Sequence, residues 1–154
     1  MKKNHLDDFN DAMNIINGIH RLSRKYNLWP REHFHHELAL AFGIRTLNQF
    51  NPNDPIEYDD HLEAQSLSGY RYYIEACVNN QIEFYGVTPV HQPKNEELDF
   101  VVIVSFDRAL IPELVLQLPW KDLPRFMKWN PDTELWYADL DKELKAYSRI
   151  LYQL

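Results

Sequence analysis

Gly69-Tyr-Arg-Tyr-Tyr-Ile-Glu-Ala-Cys77 decides how this chain is to be understood. After a turn at residues 66–69, the aromatic and β-branched residues of 70–78 predict a strand. Side chains alternate across a strand, so Arg71, Tyr73, Glu75 and Cys77 share one face, and Tyr70, Tyr72, Ile74, Ala76 and Val78 take the other. A glutamate therefore sits two residues before the single cysteine, on the same face. Just upstream, Glu57-Tyr-Asp-Asp-His-Leu-Glu63 adds a cluster of carboxylates.

Working outward, residues 56–65 are expected to form a strand before the 66–69 turn, and Glu83 to Val87 a short strand or helical turn. Asp99-Phe-Val-Val-Ile-Val-Ser-Phe-Asp107 is the clearest strand, and its nearly continuous apolar run predicts burial on both faces. Leu114 to Leu118 should form another. On the N-terminal side, residues 6–27 have amphipathic helical spacing through Phe9, Met13, Ile16 and His20. Pro30 suits the first turn of a second helix running to about Leu47. That helix presents Phe34, Leu38, Ala41 and Phe42 on one side and carries Glu37 on or beside the apolar stripe. Asn51-Pro-Asn-Asp-Pro55 reads as a linker. Toward the C-terminus, Pro119 and Pro124 bracket a turn into a short helix. Asp139 can cap a final helix bearing Leu140, Leu144, Tyr147 and Leu151. Helices, a sheet and further helices predict an α/β or α+β fold, with a mixed central sheet flanked by helices.

The 154 residues, 45% of them apolar, suit a single domain spanning 1–154. No stretch approaches the roughly 20 apolar residues of a membrane span. The N-terminal residues lack the apolar core of a signal peptide. With one cysteine no intrachain disulfide forms, and a cytoplasmic setting is expected. The net charge of −7 is unevenly spread. Residues 1–30 hold five Lys/Arg against three Asp/Glu, residues 31–100 four against twelve, and residues 101–154 seven against eight. The acidity concentrates around Glu37, Asp60, Glu63 and Glu75, where it would repel a phosphate backbone unless cations offset it.

Across residues 30–118 the chain resembles the PD-(D/E)xK, or restriction-endonuclease-like, superfamily. The resemblance rests on a helix bearing Glu37, acidic residues on a first strand, Tyr-Ile-Glu-Ala-Cys on a second and Asp-Phe-Val-Val-Ile-Val on a third. It implies a restriction-endonuclease-like core. It also implies that Glu37, Asp60 or Glu63, and Glu75 would hold Mg²⁺, while Cys77 occupies the position of a catalytic lysine. Carboxylates suit Mg²⁺, which prefers oxygen ligands and keeps several waters. The ion lowers the pKa of bound water and screens charge on the attacked phosphate. A lysine beside it adds a cation where negative charge develops. Cysteine is neutral, or negative when ionised, and supplies no such charge. Arg71 lies six residues from Cys77, roughly 20 Å along an extended strand, and is no simple substitute.

Other readings of the same residues are structural. Glu75 can be an edge residue or pair with Arg71 or Lys94, and Cys77 can be a small buried apolar side chain. His33-Phe-His-His36 suggests histidines on a helix flank more than a zinc site, which needs further ligands. Trp120-Lys-Asp-Leu-Pro-Arg-Phe-Met-Lys-Trp129 places Arg125 and Lys128 at helical i, i+3 spacing. The pattern is more often a helix packing Phe126 and Met127 inward with the cations outside; if nucleic acid binds, this segment, with Trp129 available for stacking, is the best basic surface.

Three functions follow as expectations. The first is a degenerate nuclease-like domain acting as a binding, regulatory or defence-related module with a protein or nucleic-acid partner. The second is a Mg²⁺-dependent nuclease cleaving DNA or RNA. The third is an acidic mimic of nucleic acid. The missing lysine favours the first.

Overall fold

A computed structural model describes residues 34–58, 63–84 and 98–154, with six helical positions before them: Asp11, Asn14, Ile15, Asn17, Gly18 and Arg21. The side chains of Phe34, Glu37, Glu57, Tyr58 and Glu63 lie outside that description, as do most of the helix expected over 6–27 and all of Asp60. One long helix, α1 (Phe34–Phe50), precedes a sheet in which nine strands are described. These are β1 (Ile56–Tyr58), β2 (Glu63–Ser66), β3 (Arg71–Val78), β4 (Gln81–Phe84), β5 (Phe100–Phe106), β6 (Pro112–Pro119), β7 (Met127–Asn130), β8 (Leu135–Asp139) and β9 (Arg149–Gln153). A 3-10 turn (Trp120–Arg125) and a short helix α2 (Lys142–Tyr147) complete the described elements. The spatial order is β7-β8-β4-β3-β5-β6-β9, with the β1–β2 hairpin attached to β3 through β2. The sheet is mixed: β3 and β5 run parallel, and the other pairs run antiparallel. A mixed sheet with few helices is the α+β arrangement expected.

The Phe-Val-Val-Ile-Val run explains the centre of this sheet. β5 lies between β3 and β6, its side chains enter apolar clusters on both faces of the sheet, and Val101 to Val104 are fully buried. Each such side chain contributes roughly 1.5–3 kcal/mol by leaving water. Alternation sorts them into two cores. Val102, Val104 and Phe106 join Ile74, Ala76, Leu38 and Leu47 beneath α1. Val101 and Ile103 join Tyr73, Cys77, Ile82, Leu116, Trp120, Leu123 and Leu144 on the opposite face. Helix α1 comes so close to the sheet at Gly43 that a Cβ there would lie 2.8 Å from Ile74 Cγ2.

Four expectations need correction. Residues 56–65 are not one strand but the two arms of the β1–β2 hairpin, paired from Ile56↔Ser66 to Tyr58↔Ala64. The helix expected after Pro119 is a 3-10 turn: Pro124 lies inside it, and a proline ring removes an N–H and crowds the preceding turn, so an α-helix is not sustained. Met127–Asn130 is then a strand, so Arg125 and Lys128 share no helix face. The last helix is capped by Asp141, whose side chain accepts from the Leu144 N–H, not by Asp139. That helix stops at Tyr147, and Leu151 belongs to β9, where pairing with β6 overrides the helical spacing.

Candidate functional site

Strand β3 has two different neighbours along the edge opposite β5. β2 pairs with its first part, through Arg71, Tyr72 and Tyr73, while β4 pairs with it only at Val78↔Gln81. The β3–β4 turn is the tight Asn79-Asn80 pair, with φ of 54° and 58°. Asparagine tolerates this left-handed region better than most residues, and two such positions in succession suit a two-residue hairpin. Beyond the turn β4 swings to β8, which it pairs over its whole length. Among the described residues, positions 74–77 therefore have no strand partner on this edge. A cavity of about 680 Å³ opens there, lined among others by His35, His36, Glu75, Asn80, Glu83 and Asp139.

Glu75 stands in the gap, 1% exposed. Its Oε1 lies 2.5 Å from His36 Nδ1 and accepts the Ala76 N–H at 3.0 Å. Its Oε2 accepts the Tyr73 hydroxyl at 2.6 Å. Local structure explains each partner. Tyr73 precedes Glu75 by two and so projects from the same face, its ring held against Trp120 at 5.5 Å. His36 comes from the first turns of α1, which packs on the other face of the sheet. The hydrogen bond to Glu75 raises the His36 pKa above its ordinary value, against the opposing effect of burial, and the carboxylate charge raises it further. Burial lowers the neighbouring His35, and the charge of His36 lowers it further.

Cys77 is fully buried in the apolar cluster on the face away from α1. Its register partner on β5 is Ser105. Burial pushes the thiol pKa up to about 12, although Ser105 and the charge of Lys145 pull the other way. The group is a neutral thiol at any physiological pH. It is not a nucleophile, because the reactive form is the thiolate. Arg71 stays at the opposite end of β3, where its backbone N–H donates to the Asp99 carboxylate at 2.9 Å.

Of the four expected metal ligands, Glu75 alone has a described side chain. Glu37 is a helical residue of α1 one position after His36, and Glu63 opens β2 opposite Tyr73. Among the described residues no three His, Cys, Asp or Glu side chains gather closely enough to hold a metal ion. The residues of the expected basic surface each have a contact of their own. Arg125 lies over the Tyr147 ring at 4.8 Å, Lys128 pairs with Asp139 at 2.8 Å, and Trp129 packs on Trp136 at 5.4 Å across the β7–β8 hairpin.

Strand alternation puts Glu75 and Cys77 on one face, but the sequence shows His36 only as a helix-flank residue and gives Tyr73 no role. The spacing Tyr73-x-Glu75 was a usable signal for the tyrosine. Nothing local signalled His36, since its contact spans 39 positions and depends on the gap between β2 and β4. No protein-family model matches the chain, and no curated protein matches it. Among the described residues no helix is long and apolar enough to cross a membrane.

Proposed function

We propose that this chain is a degenerate restriction-endonuclease-like domain that acts by binding a partner rather than by cleaving nucleic acid. The observation that carries this reading is Cys77. At the position where the resemblance requires a lysine ammonium, the side chain is a neutral thiol sealed in an apolar cluster. Phosphodiester hydrolysis of that type needs positive charge beside the attacked phosphate, and such electrostatic devices supply several kcal/mol of the catalysis. The parallel β3–β5 pair, with α1 over one face and Glu75 on β3, supports the restriction-endonuclease-like core. The cavity beside Asn80 and Glu83 is the concave surface for a partner.

The mimic reading has less support, because Glu75 is buried and contributes nothing to an exposed acidic face. The test has two arms. Purified protein with Mg²⁺ or Mn²⁺ is expected to leave single- and double-stranded DNA and RNA intact. Cleavage that disappears in Glu75→Gln would sink the proposal. A photo-crosslinker at Asn80, on the cavity, is expected to capture a discrete partner in native cells that the same group at Glu134 does not. Equal labelling from both positions would count against the cavity as the docking surface.

A further inference from the structure

The carboxylate on which a metal site would depend already commits most of its acceptor positions to the protein. Oε1 takes two donors, His36 Nδ1 and the Ala76 N–H, and Oε2 takes the Tyr73 hydroxyl. An ionised carboxylate offers about four lone-pair positions, so three of them are spent on the protein itself. The arrangement is enclosed as well: His36 is 7% exposed and Glu75 1%. A hydrated Mg²⁺ demands near-ideal octahedral geometry and gives up its waters reluctantly. To reach Oε1 it would have to push aside a buried imidazole that is part of the α1–sheet contact. Glu75, held in this way, does not fit the metal that the family resemblance implies.

We infer that His36 takes the place of a divalent cation at Glu75, as a built-in N–H donor that ties α1 to the open edge of β3. Nature of charge is not essential to this role, since either a neutral or a protonated imidazole can present Nδ1–H to the carboxylate. The Ala76 N–H gains from the same arrangement. The strand edge is unpaired there among the described residues, and a buried backbone donor without a partner is costly. Glu75 thus satisfies its own strand on one side and the helix on the other. The inference stands apart from partner binding, since a Glu75 closed to metal is compatible with a domain that has a partner or none.

Mn²⁺ titration, followed by calorimetry and by thermal unfolding, tests it with the full chain. Wild type and Glu75→Gln are expected to give the same Mn²⁺ isotherm, and the wild-type melting temperature is expected to stay unchanged as Mn²⁺ is added. A site present in wild type and lost in Glu75→Gln would overturn the inference, as would a wild-type melting temperature that climbs with Mn²⁺, the signature of an ion bound by the native state alone. The wild-type melt decides the matter even where Glu75→Gln does not fold. A thermal double-mutant cycle with His36→Gln and Glu75→Gln adds a readout of the contact itself. The two substitutions are expected to be strongly non-additive, and simple additivity would remove His36 as the group that holds Glu75. Failure here leaves the partner-binding proposal standing, because that proposal is judged by cleavage and crosslinking.

Discussion

Cys77 shows how one residue type, placed on a known strand face, separates an architecture from an activity. Its thiol has no exposed surface, and burial raises its pKa to about 12. Reinstating the lysine of the resemblance is therefore not a simple repair. Cys77→Lys would force a longer side chain and an ammonium into the apolar cluster of Ile82, Leu116 and Leu144. We expect a loss of about 3 kcal/mol or more, the range in which uncompensated buried charge falls, measurable by urea unfolding. Cys77→Ala should cost far less. Equal stability of Cys77→Lys and wild type would mean that the position has access to water. At this scale the sequence was legible where chemistry and periodicity coincide: Glu75 and Cys77 share a strand, and the missing cation was visible directly. The donors to Glu75 were not all legible, because His36 reaches it only through a tertiary gap.

Among the elements, β5 was readable because its nearly continuous apolar, β-branched run reflects burial on both faces, and β6 because Leu114, Leu116 and Leu118 recur at the strand period. The stretch from Leu140 onward was not. The Leu140, Leu144, Tyr147 and Leu151 spacing suggests one helix, yet the chain leaves α2 at Tyr147 and adds β9 beside β6. Pairing with an existing strand outweighed local periodicity. The α1–sheet contact carries the sharpest test at this scale. Gly43 lies in α1, where alanine would be favoured over glycine by about 1 kcal/mol from helix propensity alone. Its added Cβ would stand 2.8 Å from Ile74 Cγ2 and 3.4 Å from Val104 Cγ2. Ile74 Cγ2 is attached directly to a β-branched centre on a buried strand and cannot swing away as a long side chain would. Packing strain of this kind typically costs 1–3 kcal/mol. Gly43→Ala is thus expected to lower stability by about 1 kcal/mol net in thermal or urea unfolding. A stabilised variant would show that α1 can lift from the sheet without loss, and with it His36 from Glu75.

For the whole molecule, the adjacent histidines at the start of α1 give stability a pH profile with opposite slopes on its two sides. The His36 pKa lies above the ordinary 6.5 in the folded protein, chiefly through its hydrogen bond to Glu75. The folded state then holds this proton more tightly than the unfolded chain. Its contribution is complete below about pH 6.5 and is lost as pH rises through the raised folded value. The His35 pKa lies below 6.5, chiefly through burial and then through the charge of His36. Its contribution is complete above about pH 6.5 and is lost as pH falls toward the lowered folded value. Together the two windows meet near pH 6.5 and give this pair of residues a stability maximum there. Around them the cavity presents Glu75, Glu83, Asp139 and Asp141, with Lys128 paired to Asp139. Urea midpoints measured from pH 5 to 8.5 should fall on the alkaline side in wild type. In His36→Gln that alkaline decline should flatten, and the acid-side slope should weaken too, because the charge that helps depress His35 has gone. An alkaline slope that persists unchanged in His36→Gln would assign it to a group other than His36.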